Sequence, residues 1–89
     1  MKHSNIKEQN EQYSVDYNLF ESYIHINHLS VEYEHRNKGI AFKVISDIQN
    51  KHKLPLFLIC YETLLPFYKK INFSIDDIEE DNYFLMKRE

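Results

Sequence analysis

The stretch "HRNKGIAFKVISDI", residues 35–48, contains Gly39, the only glycine in a chain of 89 residues. Apolar residues recur at helical spacing after this glycine, and they are Ala41, Val44, Ile45 and Ile48. The pattern predicts an amphipathic helix over residues 38–52, with the glycine at its start.

A strand is expected on each side of this helix. Residues 22–34, "SYIHINHLSVEYE", are rich in β-branched and aromatic side chains and predict a long central strand. Residues 56–60, "LFLIC", form an unbroken apolar run, which is typical of a strand buried on both faces. Such a strand–helix–strand unit implies a parallel pair joined by a right-handed crossover.

Alternation along the central strand assigns its side chains to two faces. It places His25, Asn27, Leu29 and Val31 on one face, and Ile24, Ile26, His28 and Ser30 on the other. The two histidines are therefore expected on opposite faces.

The other segments are shorter. Residues 13–20 and 83–86 predict outer strands, which are expected to be antiparallel. Residues 63–71 predict a short helix, which Thr63 can cap. This helix is expected to end in the left-handed conformation at Asn72. Residues 1–12 are expected to form a flexible N-terminus, and residues 76–81 an acidic turn. The expected fold class is α+β, one domain over residues 1–89 with a central mixed sheet, the strand–helix–strand core and a second helix.

The composition limits the class of protein. Hydrophobic residues make up 43% of the chain and aromatic residues 15%, which is too much for a disordered chain. The net charge of −3 does not favour a nucleic-acid or anionic-membrane partner. A single cysteine, no signal-peptide pattern at the N-terminus and no membrane-spanning run together favour a cytoplasmic protein.

The junction before the helix has the character of an anion site. A strand ends near Glu34 and a helix begins near Lys38, so unpaired backbone N–H groups and the helix dipole meet there. Gly39 allows a phosphate to approach the backbone, and Arg36 and Lys38 add positive charge. The alternative is an ordinary turn that requires a glycine.

Residues 29–48, "LSVEYEHRNKGIAFKVISDI", resemble the coenzyme A signature of the GNAT superfamily of N-acetyltransferases. That signature reads Gln or Arg, two residues, Gly, one residue, then Gly or Ala, and Arg36, Gly39 and Ala41 match it. Residues 65–73, "LPFYKKINF", resemble the second family signature, with Asn72 in place of the usual glycine. The chain resembles a short member, because typical members have another strand and two helices before the central strands.

The resemblance implies acetyl-CoA as co-substrate. No metal is expected, because His25 and His28 are assigned to opposite faces of the strand and no second carboxylate or thiol has a matching spacing to them and His35. The backbone N–H groups from Arg36 to Ala41 would bind its pyrophosphate, and the backbone around Leu29 and Val31, on a strand that splays from its parallel neighbour, would pair with its pantetheine arm. The implied cofactor-binding residues are Leu29, Val31, Arg36, Asn37, Lys38, Gly39, Ile40 and Ala41.

The resemblance also suggests two catalytic residues. Tyr68 is the implied acid that protonates the departing thiolate. The alternative is that Tyr68 is a core residue of the second helix. His25 lies where some members have a general base, and an imidazole suits that task because it can accept a proton near neutral pH. The alternative is that His25 is a half-exposed strand residue with no role. His28 ranks below His25, and Glu62 is a further carboxylate near the active end. Cys60 could carry an acetyl group only with a lowered pKa, and is more commonly structural.

The implied function is an acetyl-CoA-dependent N-acetyltransferase, an acyltransferase that moves an acetyl group to an amine by direct attack. The alternative is a non-catalytic domain of the same fold that binds acyl-CoA or another protein. The expected partners are a small-molecule or peptide amine and, for a minimal domain with uncovered surface, a second copy in a homodimer.

Overall fold

Six strands and two helices make up the computed structural model, which describes residues 3–89. The strands are β1 (Ser4–Gln9), β2 (Tyr13–Leu19), β3 (Ile24–Val31), β4 (Leu56–Tyr61), β5 (Ser74–Glu80) and β6 (Tyr83–Arg88), and the helices are α1 (Ile40–His52) and α2 (Leu65–Lys70). The strands form one mixed sheet in the order β1-β2-β3-β4-β6-β5. The predicted α+β class and mixed sheet are confirmed.

The β3–α1–β4 unit is the parallel pair that the sequence predicts. Helix α1 begins at Ile40, two residues later than expected, because Gly39 is left-handed with a φ of 76°. The two strands pair only at Ile24 with Leu56 and at His25 with Phe57. Beyond these pairs β3 and β4 separate, which leaves a gap in the sheet between residues 27–31 and 58–61.

A β-bulge in β3 changes the faces that strict alternation predicts. Tyr17 of β2 pairs with Ile26, whereas the preceding residue Asp16 pairs with His28, so Asn27 is the extra residue. Directly paired residues share a face of the sheet, so His28 lies on the same face as His25. The prediction that these two histidines lie on opposite faces is wrong, because the bulge shifts the alternation by one residue.

The core lies between one face of the sheet and both helices. Its members are Val15, Tyr17, Ile24, Ile26, Val44, Ile45, Ile48, Leu56, Leu58, Cys60, Ile71, Phe73 and Met86. At the far end of α1, the hydroxyl of the fully buried Tyr17 lies 3.0 Å from Nε2 of His52. Neither helix of residues 3–89 has the length and apolar character to cross a membrane.

Removing a core side chain should strongly destabilise so small a fold. Ile45 is fully buried in α1, so Ile45→Ala should lower the free energy of unfolding by about 2–5 kcal/mol. Asp47→Ala, on the exposed side of the same helix, should change it by less than about 0.5 kcal/mol. Urea denaturation measures both, and an equal effect of the two substitutions would contradict the assigned core.

Two strands were not predicted. Residues 4–9, expected to be flexible, form β1 and pair with β2 over its whole length. Residues 76–81, expected to be a turn, mostly belong to β5, the opposite edge of the sheet. Both edge strands are mostly exposed, so their sequences lack the apolar pattern that marks an interior strand. Met1 and Lys2 lie outside the described residues.

The second face of the sheet is not covered by either helix. The prediction that β4 is buried on both faces is wrong, because Ile59 and Tyr61 are exposed. Ile59 pairs with Leu85 and Tyr61 pairs with Tyr83, so these side chains share that uncovered face. We call the surface formed by Phe57, Ile59, Tyr61, Tyr83 and Leu85 the open face.

Candidate functional site

A cleft of about 860 Å³ lies between the start of α1, helix α2 and the diverging strand β3. It is lined by residues 29–31, 35–37, 39–42, 64, 67–68 and 70–71. The cleft therefore brings together parts of the two segments, residues 29–48 and 65–73, that the sequence singles out.

The start of α1 presents free N–H groups to this cleft. The first helical hydrogen bond runs from Lys43 N–H to the Gly39 carbonyl, 3.0 Å, so the N–H groups of residues 40–42 have no helical acceptor. No side chain caps the helix. A Cβ on Gly39 would meet no atom within 4 Å, so glycine is favoured here by its positive φ rather than by crowding. Free N–H groups and the helix dipole together favour an anion.

Basic residues stand on both sides of the cleft. The Arg36 Nε donates a hydrogen bond of 3.0 Å to the Val31 carbonyl, which holds the guanidinium beside the end of β3. Lys70 of α2 lines the opposite wall, whereas Lys38 is exposed and does not line the cleft. Lys70 was not identified as a binding residue from the sequence, although it lies two residues after Tyr68 of the Phe-Tyr pair.

Apolar side chains form the rest of the lining. Leu64 and Phe67 are 45% and 43% exposed and line the cleft with Phe42. Their apolar character suited a core position equally well, so spacing alone did not separate the two environments. A ligand with an extended apolar segment would bury these side chains.

The edge of β3 beside the gap has no strand partner. Residues 29 and 31 pair with β2 on one side, but no pair with β4 continues past His25 on the other. Apart from the Val31 carbonyl, which already accepts a hydrogen bond from Arg36, the backbone groups of residues 27–31 on that edge are available to an extended ligand, which can pair as an added strand.

Tyr68 lies on the cleft wall with its phenol held by neighbouring rings. Its ring packs edge-on against Phe67 and Phe73, with centroid distances of 5.0 and 5.6 Å. Burial raises the pKa of Tyr68, and the nearby Cys60 raises it further, so the hydroxyl keeps its proton at neutral pH. Burial also raises the pKa of the Cys60 thiol, which argues against Cys60 as an acetyl carrier.

His25 lies outside the cleft, on the face of the sheet opposite the helices. Its Nδ1 is 3.1 Å from Oδ1 of Asn27, and Nδ2 of Asn27 donates to Asp16 at 3.0 Å. Hydrogen bonds from Asn27 and Asn5 lower the pKa of Asp16, which stays a carboxylate. Because the Asn27 amide nitrogen faces Asp16, its oxygen accepts from His25 Nδ1–H, which leaves Nε2 of a neutral His25 free to take a proton.

Among residues 3–89, no three His, Cys, Asp or Glu side chains are grouped so that they could hold a metal ion.

Comparison with known proteins gives structural matches without sequence matches. No protein-family model matches the sequence, and no curated protein matches it significantly. The chain is similar in structure to the anti-CRISPR protein AcrVA5, with a TM-score of 0.77 and 21% identity over 97% of this chain and 99% of AcrVA5.

Two longer acetyltransferases are also similar. The PaiA N-acetyltransferase of Thermoplasma acidophilum, solved in complex with coenzyme A, has a TM-score of 0.76 and 16% identity over 88% of this chain and 53% of PaiA. A Bacteroides thetaiotaomicron protein assigned to the GNAT family of acetyltransferases has a TM-score of 0.72 and 16% identity over 97% of this chain and 61% of that protein. The chain thus spans between half and two thirds of these two proteins, and it has the GNAT fold.

Proposed function

We propose that this protein is an acetyl-CoA-dependent N-acetyltransferase. The observation that carries the proposal is the convergence, in one cleft, of the uncapped start of α1, the unpaired edge of β3 and the side chain of Tyr68. These three features suit the pyrophosphate, the pantetheine arm and the thioester sulfur of an acyl-CoA. The CoA complex of the similarly folded PaiA supports this choice of ligand.

The residues around the cleft fit acetyl-CoA, which supplies an activated acetyl thioester when bound. The N–H groups of residues 40–42, with Arg36 and Lys70, bind the phosphates. The backbone of Leu29 and Val31 pairs with the pantetheine amides. Of the cofactor-binding residues predicted from the sequence, all except Lys38 line the cleft.

The proposed catalytic residues act from opposite sides of the gap in the sheet. His25 Nε2 takes a proton from the amine, which attacks the thioester carbon directly. Tyr68 donates its proton to the departing CoA sulfur from the cleft side. Asn27 is a positioning residue, because its hydrogen bond selects the His25 tautomer that can act as a base.

His25→Ala should lower turnover by about 10²-fold at neutral pH, the lower end of the effect of a general base. The loss should shrink as the pH rises, because an acceptor amine that is already deprotonated needs no base. Asn27→Ala, which removes the acceptor for His25 Nδ1–H, should give the same pH dependence with a smaller loss. A loss in His25→Ala that is equal at every pH would contradict the assignment.

A non-catalytic domain that binds acyl-CoA is the second candidate. It is favoured by the uncovered face beside His25, where no helix of residues 3–89 encloses an acceptor. A thermal melt with and without acetyl-CoA, followed by thiol release with a panel of amines, separates the two. At 100 times its Kd, acetyl-CoA should raise Tm by roughly 10–20 °C in either case. Only the enzyme releases CoA in the presence of an amine, and a Tm that does not respond would overturn both.

A further inference from the structure

The open face is an exposed apolar surface outside the cleft, formed by the neighbouring strands β4 and β6. Ile59, Tyr61 and Tyr83 are 46%, 42% and 44% exposed, and the two tyrosine rings pack edge-on at 5.1 Å. Phe57 and Leu85 continue the surface along the same pairs of β4 and β6. Contiguous exposed apolar side chains mark interaction surfaces, and tyrosine is enriched in them.

The open face adjoins the gap between β3 and β4 on the side opposite the cleft. Phe57 pairs with His25 at the point where the two strands begin to separate. A group that reaches the gap from this side meets His25 before it meets the thioester. Sites for small molecules enclose about 70–90% of the ligand, which the surface of a sheet without a covering helix does not do. A protein acceptor does not have to be enclosed. It can bind through a broad contact with the open face that places its reactive side chain at the gap.

Charge indicates which kind of protein surface fits. Asp77 of β5 pairs with Leu85, and Glu80 pairs with Tyr83, so both carboxylates lie on the same side of the sheet as the open face. Residues 76–81 contain five acids and no base. Lys87, which pairs with Phe57 of the open face, forms a salt bridge of 3.3 Å with Glu89. Lys7 lies on the same side of the sheet but in the edge strand β1, where it pairs with Asp16. A second copy, which also has a net charge of −3, would bring two acidic edges together, whereas a basic surface would be attracted.

We propose that the open face is the docking surface for the acceptor, and that the acceptor is a folded protein with a lysine on a basic surface. The inference rests on the proposed N-acetyltransferase function. The lysine Nζ forms an amide bond with the acetyl carbon as the carbon–sulfur bond of acetyl-CoA breaks. His25 takes the amine proton, and CoA leaves as the thiol with the proton from Tyr68.

The test compares folded basic proteins with a small amine. Lysozyme, cytochrome c and core histones are the protein probes, and Nα-acetyl-lysine methylamide is the small one. Wild-type protein should acetylate at least one protein probe with a kcat/KM at least tenfold above that for the small amine. Tyr61→Ser/Tyr83→Ser and Asp77→Asn/Glu80→Gln should each lower the protein value at least tenfold, with an unchanged rate on the small amine and an unchanged Kd for acetyl-CoA.

A matched control and a second measurement keep the outcomes distinct. Glu11→Gln/Asp47→Asn removes the same charge far from the open face and should change neither rate. The Asp77→Asn/Glu80→Gln variant removes no apolar contact, so it decides the result if the tyrosine variant does not fold. Equal kcat/KM values for the protein probes and the small amine would overturn the docking proposal and leave acetyl transfer intact. The same holds if sedimentation shows a wild-type dimer and a monomeric Tyr61→Ser/Tyr83→Ser variant. Acetyl-CoA binding without turnover of any amine would overturn the enzymatic function itself.

Discussion

Tyr68→Phe should lower turnover by roughly 10²–10⁴-fold, the contribution of a general acid, and leave the Kd for acetyl-CoA unchanged. Tyr68 lines the cleft, and the substitution keeps its ring and the contacts with Phe67 and Phe73 and removes only the hydroxyl. Without that proton the sulfur leaves as a thiolate, which is a poorer leaving group than the thiol. The effect should therefore fall on kcat rather than on binding.

The measurement is thiol release at saturating acetyl-CoA, with calorimetry for the affinity. Tyr23→Phe is the matched control, because this tyrosine stacks on Phe20 at 4.6 Å, outside the cleft, and its hydroxyl has no role in the proposal. Because the pKa of Tyr68 is raised, its hydroxyl keeps the proton up to the pH at which an ordinary tyrosine titrates. Loss of this proton should therefore not lower the wild-type rate between neutral pH and that range. Full turnover in Tyr68→Phe would make this residue part of the packing only.

Gly39→Asp should lower acetyl-CoA affinity by about a thousandfold in a chain that stays folded. A carboxylate about 4 Å from a phosphate charge costs roughly 4 kcal/mol at an effective dielectric constant near 20, and each 1.4 kcal/mol is a tenfold change in Kd. No atom lies within 4 Å of the position of the new Cβ, so the side chain fits. The charge at the helix start is then the main change.

Gly39→Asn is the control that isolates the charge. Asn and Asp have nearly the same shape, and both tolerate the left-handed backbone that Gly39 adopts with a φ of 76°. The two variants should therefore unfold at similar temperatures, while only the aspartate abolishes binding in calorimetry. Equal affinities for the two variants would show that no phosphate lies against the start of α1.

Local patterns in the sequence were sufficient for the elements that surround the cleft. The spacing of apolar residues predicted α1, and the single glycine marked its start to within two residues, because helix periodicity and a positive φ depend on neighbouring residues only. For the same reason Asn72 was correctly expected in the left-handed conformation, which it adopts with a φ of 76° after α2.

Features that depend on strand pairing were decided by the tertiary structure. The edge strands β1 and β5 form because a neighbouring strand supplies their hydrogen bonds. No pattern within residues 4–9 or 74–80 predicts that pairing. The bulge at Asn27, which brings His28 to the face of His25, is a property of the register between β2 and β3. Ile59 and Tyr61 are exposed because the helices cover only the other face of the sheet. An apolar run in the sequence does not show which face will be covered, because burial depends on the elements that pack against the strand.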